Sequence, residues 1–427
     1  MRVLIVSYYF PPAAGGGVQR VLKWAKYLPQ SGVEVHVLTP DDPKWIDSGG
    51  GLRVQPGTHV HRTKNYSPRS VRPSTSVAQA RSPLSRLGRK LLNQPRRVLF
   101  PDIHVGWSLT AVRAGVKLVR ECGIDVIVST SPPETDHLIA RRIARKTGIP
   151  WVADYRDSWL DLPHLRLDRP AVRRKHAVAV RTATRWMRAA AAITTVSEPL
   201  AADLRRRHPE TPVTVIENGV DLADLAGMPE PPANERFTAI YTGNFFGRQS
   251  PEVLLDALEL LARETPAIVD DVSVRMIGGV KPGDDARIAA SPALSAIVSR
   301  EPMMDYDDTL ATQRSADLLL LYVAPGPGSA GVFTGKVFEY VAAARPVLAM
   351  VPAGNVCIEL LTSAGSGIVV DPTNAIQIAA ALREELALWN LEGRRSVDVP
   401  ETVLQRVSRQ GQAKQLVAVL NDARARR

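Results

Sequence analysis

The segment TGKVFEYVAAARPVLA, residues 334–349, contains the loop, helix and strand pattern that indicates the fold class. Val337 and Val341 recur at the spacing that places them on one face of a helix. Pro346 cannot continue a helix, and the apolar run Val347–Met350 is typical of a buried strand. The segment is therefore predicted to be one helix–strand unit of a parallel sheet in an α/β protein.

Lys336 is in an unusual position for a cation in this segment. It lies in the first turn of the predicted helix, where the helix macrodipole disfavours a positive charge by roughly 0.3–1 kcal/mol. A lysine is favourable there if an anion binds at the same helix N-terminus, because backbone N–H groups and the ammonium then converge on one phosphate. A solvated pair of Lys336 and Glu339 explains the same spacing without a ligand. The spacing alone leaves both interpretations open.

The composition is that of a globular protein with a basic charge balance. The 427 residues are too many for one small core, so we expect two domains. The net charge of +11 favours anionic partners, but it is accompanied by no nucleic-acid recognition motif, so we expect no nucleic-acid partner. Cys122 and Cys357 are isolated, which indicates a reducing compartment. Neither a signal-peptide cleavage region nor a run of about 18 apolar residues occurs, and we expect a cytoplasmic protein.

Strands and helices alternate on both sides of a proline-rich segment. The first series covers residues 1–221 and the second covers 237–400, with residues 222–236 as the predicted linker. Residues 401–427 are predicted to form helices that pack back toward the N-terminal domain. The alternation predicts two doubly wound, Rossmann-like domains, with an interdomain cleft lined by the carboxyl ends of their strands.

Residues from about 41 to 100 interrupt the first series. They are rich in Pro, Ser, Gly and Arg and lack a clear period, so we interpret them as a long loop or insertion. Between residues 81 and 97, Arg and Lys alternate with Leu, a pattern that is typical of a basic stretch on an anionic membrane surface. A solvated loop is the alternative interpretation.

Two loops combine glycine with the start of a helix or with a cation. Gly16 and Gly17 precede a predicted helix, where glycine lets a ligand approach the backbone N–H groups. Gly243 and Asn244 follow a predicted strand, and Arg248 nearby has the geometry to bind a diphosphate through two hydrogen bonds. A flexible turn and an exposed arginine are the structural alternatives.

Two acidic residues flank an arginine after another predicted strand. Asp154 or Asp157, beside Arg156, is a candidate to orient or deprotonate an acceptor hydroxyl. A local ion pair is the alternative. His104 and His137 have no second His or Cys at ligand spacing, so the sequence assigns no metal site.

These loops, in this order, resemble the family 4 nucleotide-sugar-dependent glycosyltransferases, which have two facing Rossmann-like domains in the GT-B fold. The most specific match is residues 335–343, GKVFEYVAA, which are similar to the Lys-x-x-Glu-Tyr-x-Ala pattern of bacterial polysaccharide-type members. The element Arg156-Asp157-Ser158-Trp159 resembles the Arg-Asp-x-Trp element of the same subgroup. Further matches along almost the whole chain are Ser197–Leu200, Asn218–Asp221, Tyr241–Asn244 and Met276–Gly279.

The resemblance implies a role for each candidate residue of the donor site. Glu339 would bind the nucleotide ribose, and Lys336 and Arg248 would neutralise the diphosphate. Gly16 and Gly17 would face it from the other domain. The remaining donor-site candidates are Phe333, Thr334, Gly335, Gly243 and Asn244. Members of this family retain the anomeric configuration and work without a metal, so we expect no cofactor apart from the sugar nucleotide as substrate.

Two positions depart from the family pattern. Gly331 lies eight residues before Glu339, where members often have a Glu that contacts the donor sugar. Arg156 stands where many members have His. The donor sugar and the catalytic loop are therefore the parts that the resemblance does not specify.

The main hypothesis is a retaining glycosyltransferase that moves a hexose or N-acetylhexosamine from a nucleoside-diphosphate sugar. The acceptor would be a glycan, a lipid-linked intermediate or a small molecule. An anionic membrane surface, on the inner face of the membrane, is a further candidate partner. The alternatives are a sugar-nucleotide epimerase on the same fold and a degenerate, non-catalytic nucleotide-sugar-binding protein.

Overall fold

The computed structural model describes residues 1–13, 16–42, 52–68, 99–157, 170–245, 247–326 and 328–426. These residues divide into two compact units. The first unit contains residues 1–218 and 409–426, and the second contains residues 219–408. Both units are built around a parallel sheet, as the alternation of strands and helices predicts.

In the first unit, seven of the described strands form one parallel sheet, in the order β3-β2-β1-β4-β5-β6-β7. The strands are β1 (Arg2–Val6), β2 (Glu34–Pro40), β3 (His59–Thr63), β4 (Val126–Ser131), β5 (Trp151–Tyr155), β6 (Ala192–Thr195) and β7 (Val213–Val215). The helices are α1 (Gly16–Tyr27), α2 (Ser108–Cys122), α3 (Thr135–Thr147), α4 (Pro170–Met187), α5 (Glu198–Arg207) and α16 (Arg409–Ala425).

In the second unit, six described strands form a parallel sheet in the order β10-β9-β8-β11-β12-β13. The strands are β8 (Phe237–Thr242), β9 (Val272–Ile277), β10 (Val298–Glu301), β11 (Leu318–Tyr322), β12 (Val347–Met350) and β13 (Gly367–Val370). The helices are α6 (Leu222–Leu225), α7 (Glu252–Glu264), α8 (Ile268–Asp271), α9 (Pro282–Ala290), α10 (Pro292–Ile297), α11 (Tyr306–Ser315), α12 (Gly335–Ala342), α13 (Val356–Ser363), α14 (Ala375–Glu392) and α15 (Glu401–Val407).

Both faces of each sheet are covered by apolar cores. In β1, Leu4 packs in one core and Ile5 in the other, because successive side chains of a strand point to opposite faces. In β11, Leu320 and Leu319 likewise pack in the cores on opposite faces of the sheet. Strands that are buried on both faces read as continuous apolar runs, which explains why the sequence identified them.

The insertion predicted at about residues 41–100 contains a strand that the sequence analysis missed. Strand β3, His59–Thr63, pairs in parallel with β2 and extends the first sheet. Its sequence, HVHRT, has one fully apolar residue, so its hydrophobicity is too low to indicate a strand. The basic stretch at residues 81–97 lies outside the described residues.

The boundary between the units differs from the predicted one. It lies between Asn218 and Gly219, and the predicted linker, residues 222–236, belongs to the second unit. Glu230 in that segment forms salt bridges with Arg345 at 2.8 Å and with Arg314 at 3.2 Å, which attach the segment to the second unit. The two predicted C-terminal helices belong to different units: α15 lies in the second unit and α16 lies in the first. The predicted interdomain cleft stays a prediction.

None of the described helices combines the length and the hydropathy that a membrane span requires.

Candidate functional site

The candidate donor residues of the second unit surround the point where the strand order reverses. Strands β8 and β11 are neighbours in the sheet although they are separated in sequence. Gly243 and Asn244 directly follow β8, and the loop after β11 leads into α12, which begins at Gly335. In open parallel sheets, ligands bind at the carboxyl ends of strands beside such a switch point.

Gly243 and Lys336 are in close contact at this point. Gly243 has a φ of 120°, and a Cβ atom on it would lie 2.9 Å from the Lys336 Nζ. The Lys336 ammonium lies 3.7 Å from the centroid of the Tyr241 ring. The glycine therefore leaves space for the ammonium, which is held over the aromatic ring by a cation–π interaction.

The surroundings of Lys336 disfavour its own charge. Burial lowers the pKa of Lys336 to about 7, and the Glu339 carboxylate opposes part of this effect. A partly buried ammonium at a helix N-terminus is suited to an anionic ligand, because both the ammonium and the first N–H groups of α12 attract negative charge.

Glu339 is held in place by a buried hydrogen-bond network. The Gln313 side chain donates to the Glu339 carboxylate at 2.9 Å and to the Thr242 hydroxyl at 3.1 Å. The Tyr340 hydroxyl accepts from the Thr242 backbone N–H at 3.1 Å, so the network also includes the end of β8. Gln313 is fully buried. The network fixes the orientation of the Glu339 carboxylate before any ligand binds.

Sequence reasoning missed Gln313. It lies on α11, 26 residues before Glu339, and no local pattern marks it as a partner. A glutamine on the buried face of an amphipathic helix is the signal that could have indicated it, because a buried amide needs hydrogen-bond partners.

Asn244 and Arg248 contact the neighbouring loops of the same unit. The Asn244 side-chain carbonyl accepts a hydrogen bond from the Gly279 N–H at 2.6 Å. Arg248 is exposed and donates to the Pro325 carbonyl at 2.8 Å. A Cβ atom at Gly326 would lie 2.4 Å from the Arg248 guanidinium, and Gly326 has a φ of +146°. Arg248 is thus held along the loop that follows β11.

The segment before α12 is fixed mainly by packing. The Phe333 ring packs against Phe338 at a centroid distance of 5.2 Å. Thr334 precedes the helix, and its hydroxyl is buried with no hydrogen-bond partner among the described residues. Gly335 is exposed, and a Cβ atom there would meet no other atom within 4 Å. The glycine is therefore not required for packing and leaves the helix N-terminus open.

The loop that contains Gly331 is held by Asn355. The Asn355 side chain donates to the carbonyls of Ser329 at 2.6 Å and Val332 at 3.3 Å. Its carbonyl oxygen also accepts from the Cys357 N–H at the start of α13. Asn355 is 2% exposed and is a second positioning residue that the sequence analysis missed.

In the first unit, Arg156 connects the start of α1 with the loop after β4. Its guanidinium donates to the carbonyls of Gly17 at 2.9 Å and Pro132 at 2.6 Å, and its Nε donates to Ser131 at 3.1 Å. A Cβ atom at Gly17 would lie 3.0 Å from this guanidinium. A side chain at position 17 would therefore be in tight contact with Arg156, and Gly16 begins the helix.

The environment of Asp154 is that of a buried ion pair. Asp154 is fully buried and forms a bidentate pair with Arg20, with hydrogen bonds of 2.8 and 3.0 Å. The hydroxyls of Thr130 and Thr194 also donate to its carboxylate, at 2.7 and 2.8 Å. Arg20, Thr130 and Thr194 already bind both oxygens of the carboxylate, which favours a structural role for Asp154. Its catalytic assignment stays a prediction.

Asp157 and Glu134 are two carboxylates of this region that are more exposed than Asp154. Asp157 is exposed at the end of the described segment, and the following Ser158 and Trp159 lie outside the described residues. Burial raises the pKa of Glu134 to about 8, and the nearby Asp102 carboxylate adds to the increase. A partly exposed carboxyl group that titrates near neutral pH is suited to proton transfer.

The N-terminal part of the chain, residues 14–224, matches the family model described as Glycosyltransferase Family 4. This match covers most of the first unit and just under half of the chain. The glycine loop, Arg156 and Asp157 all lie within the matched residues. No curated protein matches the chain at a significant level.

Solved structures match the chain over almost its whole length. HepE from Anabaena, solved in complex with UDP, has a TM-score of 0.64 and 16% identity, with 99% of this chain and 100% of HepE covered. Sucrose-phosphate synthase from Thermosynechococcus elongatus has a TM-score of 0.63 and 15% identity, with 100% of both chains covered. The UDP-forming α,α-trehalose-phosphate synthase from Burkholderia xenovorans has a TM-score of 0.58 and 15% identity, with 99% and 100% covered. The chain therefore has the GT-B glycosyltransferase fold.

Proposed function

We propose that this chain is a retaining glycosyltransferase that transfers a hexose or N-acetylhexosamine from a nucleoside-diphosphate sugar. The acceptor class is a glycan, a lipid-linked intermediate or a small molecule. The enzyme acts in the cytoplasm, and its basic charge favours peripheral binding to an anionic membrane surface. Protein groups and not a metal ion stabilise the leaving diphosphate.

The arrangement around the N-terminus of α12 is the observation that carries this proposal. The Lys336 ammonium over Tyr241 is placed to neutralise a diphosphate together with the first N–H groups of the helix. One turn later, the Glu339 carboxylate is oriented by Gln313 and is able to accept hydrogen bonds from both ribose hydroxyls. The cation and the helix terminus thus match the diphosphate of a sugar nucleotide, and the carboxylate matches its ribose. Phosphate and ribose are the two invariant parts of such a donor.

Uridine is the proposed base. HepE was solved in complex with UDP, with UDP and glucose, and with UDP-glucose, and the trehalose-phosphate synthase is UDP-forming. These ligands belong to those proteins, but their shared fold makes UDP-hexoses the first donors to test. Gly331, in place of a Glu that contacts the sugar, leaves the choice among hexoses to other residues.

On the acceptor side, Asp157 and Glu134 replace Asp154 as the proposed acid–base candidates. Both lie at the carboxyl ends of β4 and β5, and Asp157 contributes to the raised pKa of Glu134. If the configuration is retained without a carboxylate nucleophile, the acceptor oxygen must attack the anomeric carbon from the face that the diphosphate leaves.

The variant Glu339→Ala tests the donor site. UDP should raise the melting temperature of the wild-type protein, since a ligand at a hundred times its dissociation constant adds about 2.7 kcal/mol. Glu339→Ala should abolish this shift, whereas Glu392→Ala, at an exposed position of α14, should keep it. A full UDP shift in Glu339→Ala would refute the ribose assignment.

Product analysis separates the proposed transferase from its two alternatives. An epimerase converts a UDP-hexose without an acceptor, whereas a transferase needs an acceptor or, more slowly, water. A degenerate binding protein shows the UDP-induced shift and no turnover with any donor and acceptor pair.

A further inference from the structure

Three histidines and a glutamate form a cluster at the edge of the first sheet. Glu34 and His36 lie on β2, and His59 and His61 lie on β3. His36 is directly opposite His59 in the register of the two strands. Residues two apart on a strand share a face, so each strand contributes two side chains to the same side of the sheet.

The donor atoms of three of these residues converge. The His36 Nε2 lies 3.0 Å from the Glu34 Oε1, and the His59 Nε2 lies 3.6 Å from the same oxygen. One ligand atom from each residue lies within 4.8 Å of the others. In a tetrahedral zinc site with bonds of about 2.0–2.1 Å, neighbouring ligand atoms are about 3.3 Å apart. The observed distances of 3.0 and 3.6 Å bracket this value, and the stacked His36 and His59 rings would have to turn toward each other to share one ion.

Neighbouring groups fix the orientation of these ligands. The His36 Nδ1 and the His61 Nε2 are 3.0 Å apart, which leaves the His36 Nε2 to face Glu34. Arg2 donates to the second carboxylate oxygen of Glu34 at 3.0 Å. The rings of His36 and His59 are stacked with their centroids 4.6 Å apart. Hydrogen bonds of this kind to the far side of ligating histidines orient the rings in metal sites.

The cluster is open to solvent. His59 and Glu34 are 52% and 43% exposed, which leaves an entry path for an ion and room for water.

We propose that Glu34, His36 and His59 bind one divalent transition-metal ion, with Zn²⁺ as the best match, and that solvent completes its coordination. Two imidazoles and one carboxylate are a donor set that zinc accepts. Glu34 and His59 are the first residues of their strands, so the site lies at the amino ends of the sheet, opposite the ends that bind ligands in this fold. The ion therefore has a structural role: it joins the edge strand β3, which lies within the insertion, to β2.

Zinc titration of the full chain without a histidine tag tests this proposal. Isothermal titration calorimetry should show one Zn²⁺ per chain, and Co²⁺ should give the visible absorption of a low-symmetry site with nitrogen ligands. Loss of one ligand, in His59→Asn or Glu34→Gln, should weaken Zn²⁺ binding by at least about tenfold. His176→Asn, on α4 outside the cluster, should bind as the wild type does.

A second readout separates lost binding from lost folding. Zn²⁺ should raise the melting temperature of the wild type and of His176→Asn, and should not raise it in the two ligand variants. The melting temperatures without metal show whether each variant is folded. A wild-type chain that binds no Zn²⁺, or folded ligand variants that bind it with unchanged affinity, would overturn the proposal.

Discussion

Asp154 and Asp157 are close in sequence, but their surroundings give them different roles. Asp154 is enclosed by Arg20, Thr130 and Thr194. Arg20 in turn donates to the carbonyl of Ile216 at 2.9 Å, so the pair links α1, β5 and the end of β7. Asp157 is exposed. The first carboxylate therefore stabilises the unit, and the second is available to a substrate.

The two substitutions to Asn should separate these roles. Asp154→Asn leaves the Arg20 guanidinium buried without its anion and should lower the free energy of unfolding by about 3–5 kcal/mol. Asp157→Asn should change it by less than about 0.5 kcal/mol and should lower the turnover of sugar transfer. Urea denaturation and steady-state kinetics measure the two effects. An Asp154→Asn variant with wild-type stability and reduced turnover would return Asp154 to the catalytic candidates.

The low pKa of Lys336 predicts that donor affinity depends on pH. The free protein loses the Lys336 proton near pH 7, whereas a bound diphosphate favours the protonated form. UDP-glucose affinity should therefore decrease by up to about tenfold per pH unit above about pH 7. The diphosphate of UDP-glucose does not titrate in this range, so the change reports the protein. Lys336→Arg keeps its charge and should show a flat profile by calorimetry; an equally steep profile in this variant would exclude Lys336 as the titrating group.

At the scale of the secondary-structure element, helix α12 ends in a turn with local backbone strain. The helix was expected to end at Pro346 and instead ends at Ala342. Ala344 follows with a φ of +55°, a left-handed conformation that disfavours residues with a Cβ atom. Its carbonyl accepts a hydrogen bond from the Val397 N–H at 2.9 Å, so this turn is fixed from outside the helix.

Ala344→Gly should relieve this strain. The left-handed conformation costs an L-residue about 1–2 kcal/mol, which glycine avoids. Glycine also raises the conformational entropy of the unfolded chain, and this offsets about 0.4–1 kcal/mol of the stabilisation. The second unit should therefore unfold at a higher temperature, with a net gain of about 0.5–1 kcal/mol. Ala343→Gly is the matched control, because Ala343 has a right-handed conformation and should lose about 0.5–1 kcal/mol on substitution. Calorimetry of both variants checks the opposite signs, and a loss of stability in Ala344→Gly would contradict the strain argument.

At the scale of the whole molecule, the chain begins and ends in the same unit. Helix α16 contributes Leu416 and Leu420 to the core that contains Val21 and Trp24 of α1. The first unit is therefore complete only after the second unit has been synthesised. This order follows from the division of the chain at residues 218 and 409.

Removing side-chain volume from α16 should destabilise the first unit. Leu420 is fully buried, and Leu420→Ala should cost about 2–5 kcal/mol through lost burial and the cavity that remains. Leu391, near the end of α14, is 82% exposed, and Leu391→Ala should change stability by less than about 0.5 kcal/mol. Chemical denaturation with both variants tests this, and a wild-type transition in Leu420→Ala would mean that α16 does not stabilise the core.

The sequence by itself determined the two doubly wound units and the helix–strand unit that contains the candidate donor segment. The patterns that predicted the helix and strand around Lys336 and Glu339 are local. They are apolar runs, helical spacing, and Gly or Pro at the ends of elements, and each depends only on neighbouring residues. Only the tertiary structure decided how these side chains are held. The bond from Gln313 to Glu339 joins residues 26 apart, and the Arg20–Asp154 pair joins residues 134 apart. The same holds for the pairing of β3 with β2, which brings His59 to His36. Contacts between distant residues leave no local period in the sequence, so a buried ion pair and a catalytic carboxylate look alike until the chain has folded.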